Sequence, residues 1–276
     1  MRRRDFIKYL GLGGVAMLAM PQSIRANSSA VAVPSSCKKL KPISGSWFEF
    51  RHSASEGGNW NKALTHFTAD QWRRKIFEMR EIGMEYLVMM GVALDGKPFY
   101  PSQIAPQIPM GCEDPLEAVL AAADECGIKF FVSNDFWGEL DAYTMMIDKG
   151  VQKLRFRSME EVAQKYSHHE SFYGWYFPNE AQLQPYFIDE CVKYVNECAD
   201  FAQRLTPNCV NLIAPYFIKE ARFDDYFVRQ FVDKILCYQY IGIMNKPGTD
   251  IIAGHPDSLR LYEQYSAWYN QYKNKK

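Results

Sequence analysis

The run Gly174-Trp-Tyr-Phe-Pro-Asn-Glu180 ends an apolar segment with an amide beside a carboxyl group. Asn179 can hydrogen-bond a sugar hydroxyl, and Glu180 can give or take a proton at a neighbouring oxygen. That pairing suits glycoside hydrolysis, which needs a second carboxylate about 5–5.5 Å away when configuration is retained. Other apolar segments end in comparable residues: Trp47 and Glu49 close the first, and Asn134, Asp135 and Trp137 the third. Tyr216 closes the fifth, and Gln239 and Tyr240 the sixth. All of these are candidate substrate-binding groups. Glu49 and Asp135 either enter a cleft or serve as solvent-facing and capping groups. The rings of Trp47, Trp137, Tyr216 and Tyr240 either pack at a rim or offer a pyranose face a platform. His168, His169 and Glu170 read as a solvated loop, and neither a metal nor a cofactor is expected.

Such residues converge only if the elements that carry them lie side by side, and the chain repeats strand and helix in the required way. Strands are predicted over Pro42–Phe50, Glu85–Leu94, Ile128–Phe136, Phe172–Tyr176, Val210–Tyr216 and Ile235–Ile243. Between them, Thr68-x-x-Gln71 is a capping-box start with Gly83 as the stop, and Asp114-Pro115-x-Glu117 opens a helix ending at Gly127. Ser158-x-x-Glu161 is read as opening the last part of a longer helical crossover, and Pro185 to Leu205 as one long helix. Further helices are predicted at Phe223–Val232 and from Asp257 to Tyr272. Apolar strands alternating with helices imply a parallel sheet covered by helices, an α/β fold. A (β/α) barrel and an open doubly wound sheet both satisfy this. No Gly-rich phosphate loop follows the first strand, and polar and aromatic loops follow the others, so the TIM-barrel-like form is favoured. Only six β/α units are recognisable where a standard barrel has eight, so the barrel is expected to be incomplete.

The Trp-Tyr-Phe-Pro-Asn-Glu run resembles the fourth-strand Asn-Glu motif of the clan A glycoside hydrolases. More closely, residues 42–245 resemble a family of glycosidase-like barrels, domain of unknown function 4434. The matching pieces are the Trp72 helix ending in Glu81-Ile82-Gly83, Tyr100-Pro101-Ser102, Asp114-Pro-Leu-Glu-Ala118 and Ala122-Ala-Asp-Glu-Cys-Gly127. The resemblance implies that Glu180 is a general acid/base and Asn179 its sugar-binding neighbour. It also implies a nucleophilic Glu at the end of a seventh strand, which this chain does not display. Where the family often carries Asp after the sixth-strand Gln, Gln239 is followed by Tyr240, and Glu263 falls in the last helix. Three readings follow: a glycoside hydrolase acting on a glycan, a carbohydrate-binding pseudoenzyme without its nucleophile, and a small-molecule lyase or isomerase on the same scaffold.

The N-terminus carries an address. Arg3-Arg4-Asp-Phe-Ile-Lys8 resembles a twin-arginine export signal, and Tyr9–Met20 is an uncharged run of about twelve residues, too short for a bilayer core of about 30 Å. Ile24-Arg25-Ala26 supplies a cleavage point, so residues 1–26 are read as a signal peptide, 27–41 as a linker and 42–276 as the barrel domain. The expected partners are then the twin-arginine machinery and a glycan or other small molecule. The expected location is the periplasm or elsewhere in the cell envelope, with no stable membrane span after cleavage. Removing residues 1–26 takes away five basic residues and one acidic residue, leaving 27 basic and 31 acidic. That balance does not suit nucleic acid. The seven cysteines show no C-x-x-C spacing, and Cys191 and Cys198, about 10.5 Å apart on a helix, are too far apart to bridge.

Overall fold

The computed structural model describes residues 44–52, 62–134, 141–179, 185–214 and 222. The signal peptide, the linker, the sixth predicted strand and the last two predicted helices lie outside them. Among the described residues the elements run β1 (Gly45–Phe48), α1 (Ala69–Glu81), β2 (Tyr86–Met89), a hairpin of β3 (Ala93–Leu94) and β4 (Lys97–Pro98), α2 (Pro115–Cys126) and β5 (Lys129–Ser133). After these come α3 (Ala142–Ile147), α4 (Lys149–Tyr166), β6 (Phe172–Phe177), α5 (Asp189–Leu205) and β7 (Val210–Ile213).

The helix boundaries follow local chemistry. Thr68 Oγ1 accepts from Gln71 N at 3.3 Å while the Gln71 side chain accepts from Thr68 N at 2.9 Å, closing the capping box ahead of α1. Asp114 caps α2 through Glu117 N at 3.0 Å, Pro115 occupies its first turn, and Gly127 stops it at φ 73°. Two readings are corrected. Ser158 opens nothing: it is buried inside a continuous α4 whose cap is Asp148, accepting from Val151 N at 2.8 Å. The helix expected from Pro185 begins at Asp189 instead. The apolar run Glu85–Leu94 also divides. Asp95 and Gly96 take φ 51° and 71°, which turns the chain back into the β3–β4 hairpin.

Five strands form one sheet in the order β1-β2-β5-β6-β7, and every neighbouring pair is parallel. Each new strand adds beyond the last, so the order never reverses as a doubly wound sheet requires. Right-handed crossovers in one direction put the described helices on one face. The packing agrees. Phe48, Leu87, Met89, Phe130, Val132, Trp175 and Phe177 from the strands share a core with Trp72, Ile76, Val119, Met159, Val162 and Tyr194 from the helices. The other face holds Val88, Phe131, Tyr176, Leu212 and Ala214, flanked by Trp47, Tyr86, Tyr173 and Val210, with no helical residue among those described. This is an α/β, TIM-barrel-like wall, with the described helices outside and strand side chains inside. Among the described residues no helix is long and apolar enough to cross a membrane.

Candidate functional site

The inner face is tuned by one irregularity in β6. Phe130 pairs with Phe172, but Phe131 pairs with Gly174, so β6 holds one extra residue. Beyond this bulge Tyr176 points inward and Trp175 outward, where Trp175 Nε1 donates to Thr206 Oγ1 at 2.8 Å. Gly174 is required at the bulge, because a Cβ there would lie 2.3 Å from Val210 O. The inward Tyr176 ring meets Trp47 with centroids 5.2 Å apart and planes at 53°. Trp47 is half-buried, and this contact spans β2 and β5, whose Val88 and Phe131 share the same inner face.

The C-terminal strand ends lie above that wall. Asn134 follows β5 and Asn179 follows β6, and the two ends are joined by Asn134 N donating to Tyr176 O at 3.0 Å. Asn179 is 6% exposed, and its Nδ2 donates to Ala142 O at 2.7 Å. That bond fastens the first turn of α3, itself capped by Asp141 through Tyr143 N and Thr144 N, to the end of the strand. Asn179 Oδ1 is buried, with no hydrogen-bond partner among the described residues. Asn134 is 1% exposed, its Nδ2 lies 3.8 Å from Met159 Sδ of α4, and its Oδ1 also lacks a partner among the described residues. The Asn134 amide therefore faces the helix layer. Glu49, just past β1, is held by His52, whose Nδ1 is 2.9 Å from Glu49 Oε2. Glu180, Asp135, Trp137, Tyr216, Gln239 and Tyr240 lie outside the described residues.

Sequence reading missed Tyr176 and His52. Simple alternation along Phe172–Phe177 misplaces the phase after the bulge, and Gly174 is the signal that could have found it. A second group gathers at the opposite, N-terminal end of the strands, where His168 and Glu170 are exposed as the solvated-loop reading expects and His169 is the exception. His169 is 7% exposed. Its Nδ1 is 2.6 Å from Asp124 Oδ2 and its Nε2 is 3.0 Å from Glu117 Oε2, both on α2. Asp124 Oδ1 accepts from Ser171 N at 2.7 Å. Burial pulls the His169 pKa down, but the bonds to Asp124 and Glu117 outweigh it and leave it raised. Burial likewise raises Asp124, and the bonds from His169 and Ser171 reverse this to a lowered value. Cys112, Cys126, Cys191, Cys198 and Cys209 form no disulfide, and burial pushes Cys191 up to about 12.

Comparison with curated proteins finds no match. Among solved structures, the chain is similar to a Bacteroides thetaiotaomicron VPI-5482 protein assigned as an alpha-L-fucosidase, at 16% identity and a TM-score of 0.45. That match covers 63% of this chain and 51% of the other. An endo-beta-1,4-mannanase from Thermotoga petrophila matches at 15% identity and a TM-score of 0.45, covering 62% of this chain and 42% of the other. An endo-1,4-beta-mannanase from Rhizomucor miehei matches at 10% identity and a TM-score of 0.42, covering 68% and 61%. The chain thus spans about half the length of the first of these structures. Residues 43–231 match the sequence profile described as domain of unknown function (DUF4434).

Proposed function

The chain belongs to the DUF4434 family, and on that premise we propose that it is an exported, glycoside-hydrolase-like protein acting on a glycan. In this reading Glu180 protonates the leaving oxygen and Asn179 binds a sugar hydroxyl. The observation that carries it is the buried Oδ1 of Asn179, which has no hydrogen-bond partner among the described residues and stands immediately before Glu180 in the sequence, past the C-terminal end of β6. A buried acceptor without a donor costs about 1–3 kcal/mol, and a hydroxyl donor from a ligand relieves that cost. The C-terminal end is also where barrels gather their chemistry. Trp47, beside Tyr176, supplies an apolar face for a ring. The export half of the proposal rests on the Arg3-Arg4-x-Phe-Ile-Lys run.

The test is Glu180→Gln, which keeps size and polarity and removes the titrating proton. Hydrolysis of a glycoside with a poor leaving group should fall by about 10²–10⁴-fold, since general acid–base groups contribute on that order. An activated aryl glycoside, needing little protonation, should lose less in its bond-breaking step. An unchanged rate and pH profile would eliminate the acid/base role.

A second reading, glycan binding without hydrolysis, is favoured by a specific observation. Gln239 is followed by Tyr240, where the family resemblance calls for an acid. In that reading the cleft holds the sugar without cleaving it.

A further inference from the structure

We infer that Glu117, His168 and His169 form a binding site for a divalent transition-metal ion of the zinc class, at the N-terminal end of the sheet and separate from the Asn179 end. One ligand atom from each of the three residues can be chosen so that all lie within 4.8 Å of one another. Two imidazoles and a carboxylate are a ligand set that zinc accepts, with a fourth position left for water.

The geometry around His169 supports more than proximity. A metal-ligating histidine almost always gives its other ring N–H to a carboxylate or carbonyl, which fixes the tautomer and aims the free nitrogen at the metal. His169 has that arrangement: Nδ1 lies 2.6 Å from Asp124 Oδ2, and Asp124 is itself fixed by Ser171 N at 2.7 Å. The aimed nitrogen, Nε2, sits 3.0 Å from Glu117 Oε2. Bonds of about 2.0–2.1 Å to a tetrahedral ion put ligand atoms about 3.3 Å apart, so that pair needs little movement. His168 completes the set. Its ring lies beside that of His169 with centroids 4.2 Å apart, and it is exposed, so it is free to swing the remaining distance. The ion takes the place of the proton between His169 Nε2 and Glu117 Oε2. It then ties α2 to the loop that leads into β6, a fastening role on the face of the barrel that serves stability.

Equilibrium dialysis of the full chain against Zn²⁺ at mildly alkaline pH tests this, beside His168→Ala and Glu117→Gln. Loss of an outer partner alone weakens metal sites about 10–100-fold, so loss of the His168 ligand should cost at least about tenfold. The wild type should bind one zinc saturably in the micromolar range and melt at a higher temperature with zinc than without. His168→Ala, a change at an exposed side chain, should keep the metal-free melting temperature and lose most of the zinc-dependent rise. Glu117→Gln should also bind zinc less tightly. No saturable zinc in the wild type, or a His168→Ala protein that binds zinc as tightly, would overturn the site.

Discussion

Asn179 gives its Nδ2 to the Ala142 carbonyl, and its Oδ1 has no partner among the described residues, so one side chain anchors α3 and, in the proposed function, accepts from a sugar hydroxyl. Asn179→Ala removes both. One neutral hydrogen bond contributes about 0.5–1.5 kcal/mol, so glycan affinity should weaken by up to about tenfold, measured by calorimetric titration. Stability should fall by a similar increment, measured by urea denaturation. A loss of stability with unchanged affinity would make Asn179 a strut for α3 and nothing more. At this scale the sequence was a partial guide. Asn179 stands out because an amide and an acid close an apolar run. His169 does not, because Asp124 and Glu117 lie 45 and 52 residues away and only the packing of α2 against the β6 approach joins them.

Among the elements, β6 sets which side chains reach the inner wall. Its bulge places Tyr176 against Trp47 and turns Trp175 to the helices, and Gly174 permits it. Gly174→Ala would drive a methyl group into the Val210 carbonyl, forcing β6 and β7 apart. Overpacking of this kind typically costs about 1–3 kcal/mol, which a lowered urea midpoint would report. A midpoint within experimental scatter of the wild type would mean that the bulge does not need glycine. The elements that could be read from sequence are those set by neighbouring residues, such as the Thr68–Gln71 box and the Asp114-Pro115 start with its Gly127 stop. The misread ones depend on wider context. Ser158-x-x-Glu161 matches a cap pattern, yet Glu161 reaches across to Ser102 Oγ at 2.6 Å and Gln103 N at 2.7 Å, and α4 runs through unbroken. The Asp95-Gly96 turn is set locally, but the unbroken apolar run Glu85–Leu94 carries no sign of the break between Met89 and Ala93 that gives the hairpin its own strand.

For the molecule as a whole, strand order decides the architecture. The alternation of strand and helix fits two folds, and only the unreversed order β1-β2-β5-β6-β7 separates them. The export proposal is tested in cells, because the arginine pair acts as an address read by a receptor. Replacing Arg3 and Arg4 together by Lys should leave an unprocessed precursor inside the cell, seen by fractionation and immunoblotting. Normal processing of that variant would remove the twin-arginine assignment. The most direct test of the central claim, that this family member acts on a glycan through Glu180, is a glycan-binding screen followed by product analysis on every glycan bound. The account predicts that the wild type cleaves at least one glycan that it binds, and that Glu180→Gln binds that glycan and leaves it whole. A wild type that binds glycans and cleaves none, or a Glu180→Gln protein that cleaves as fast, would contradict it.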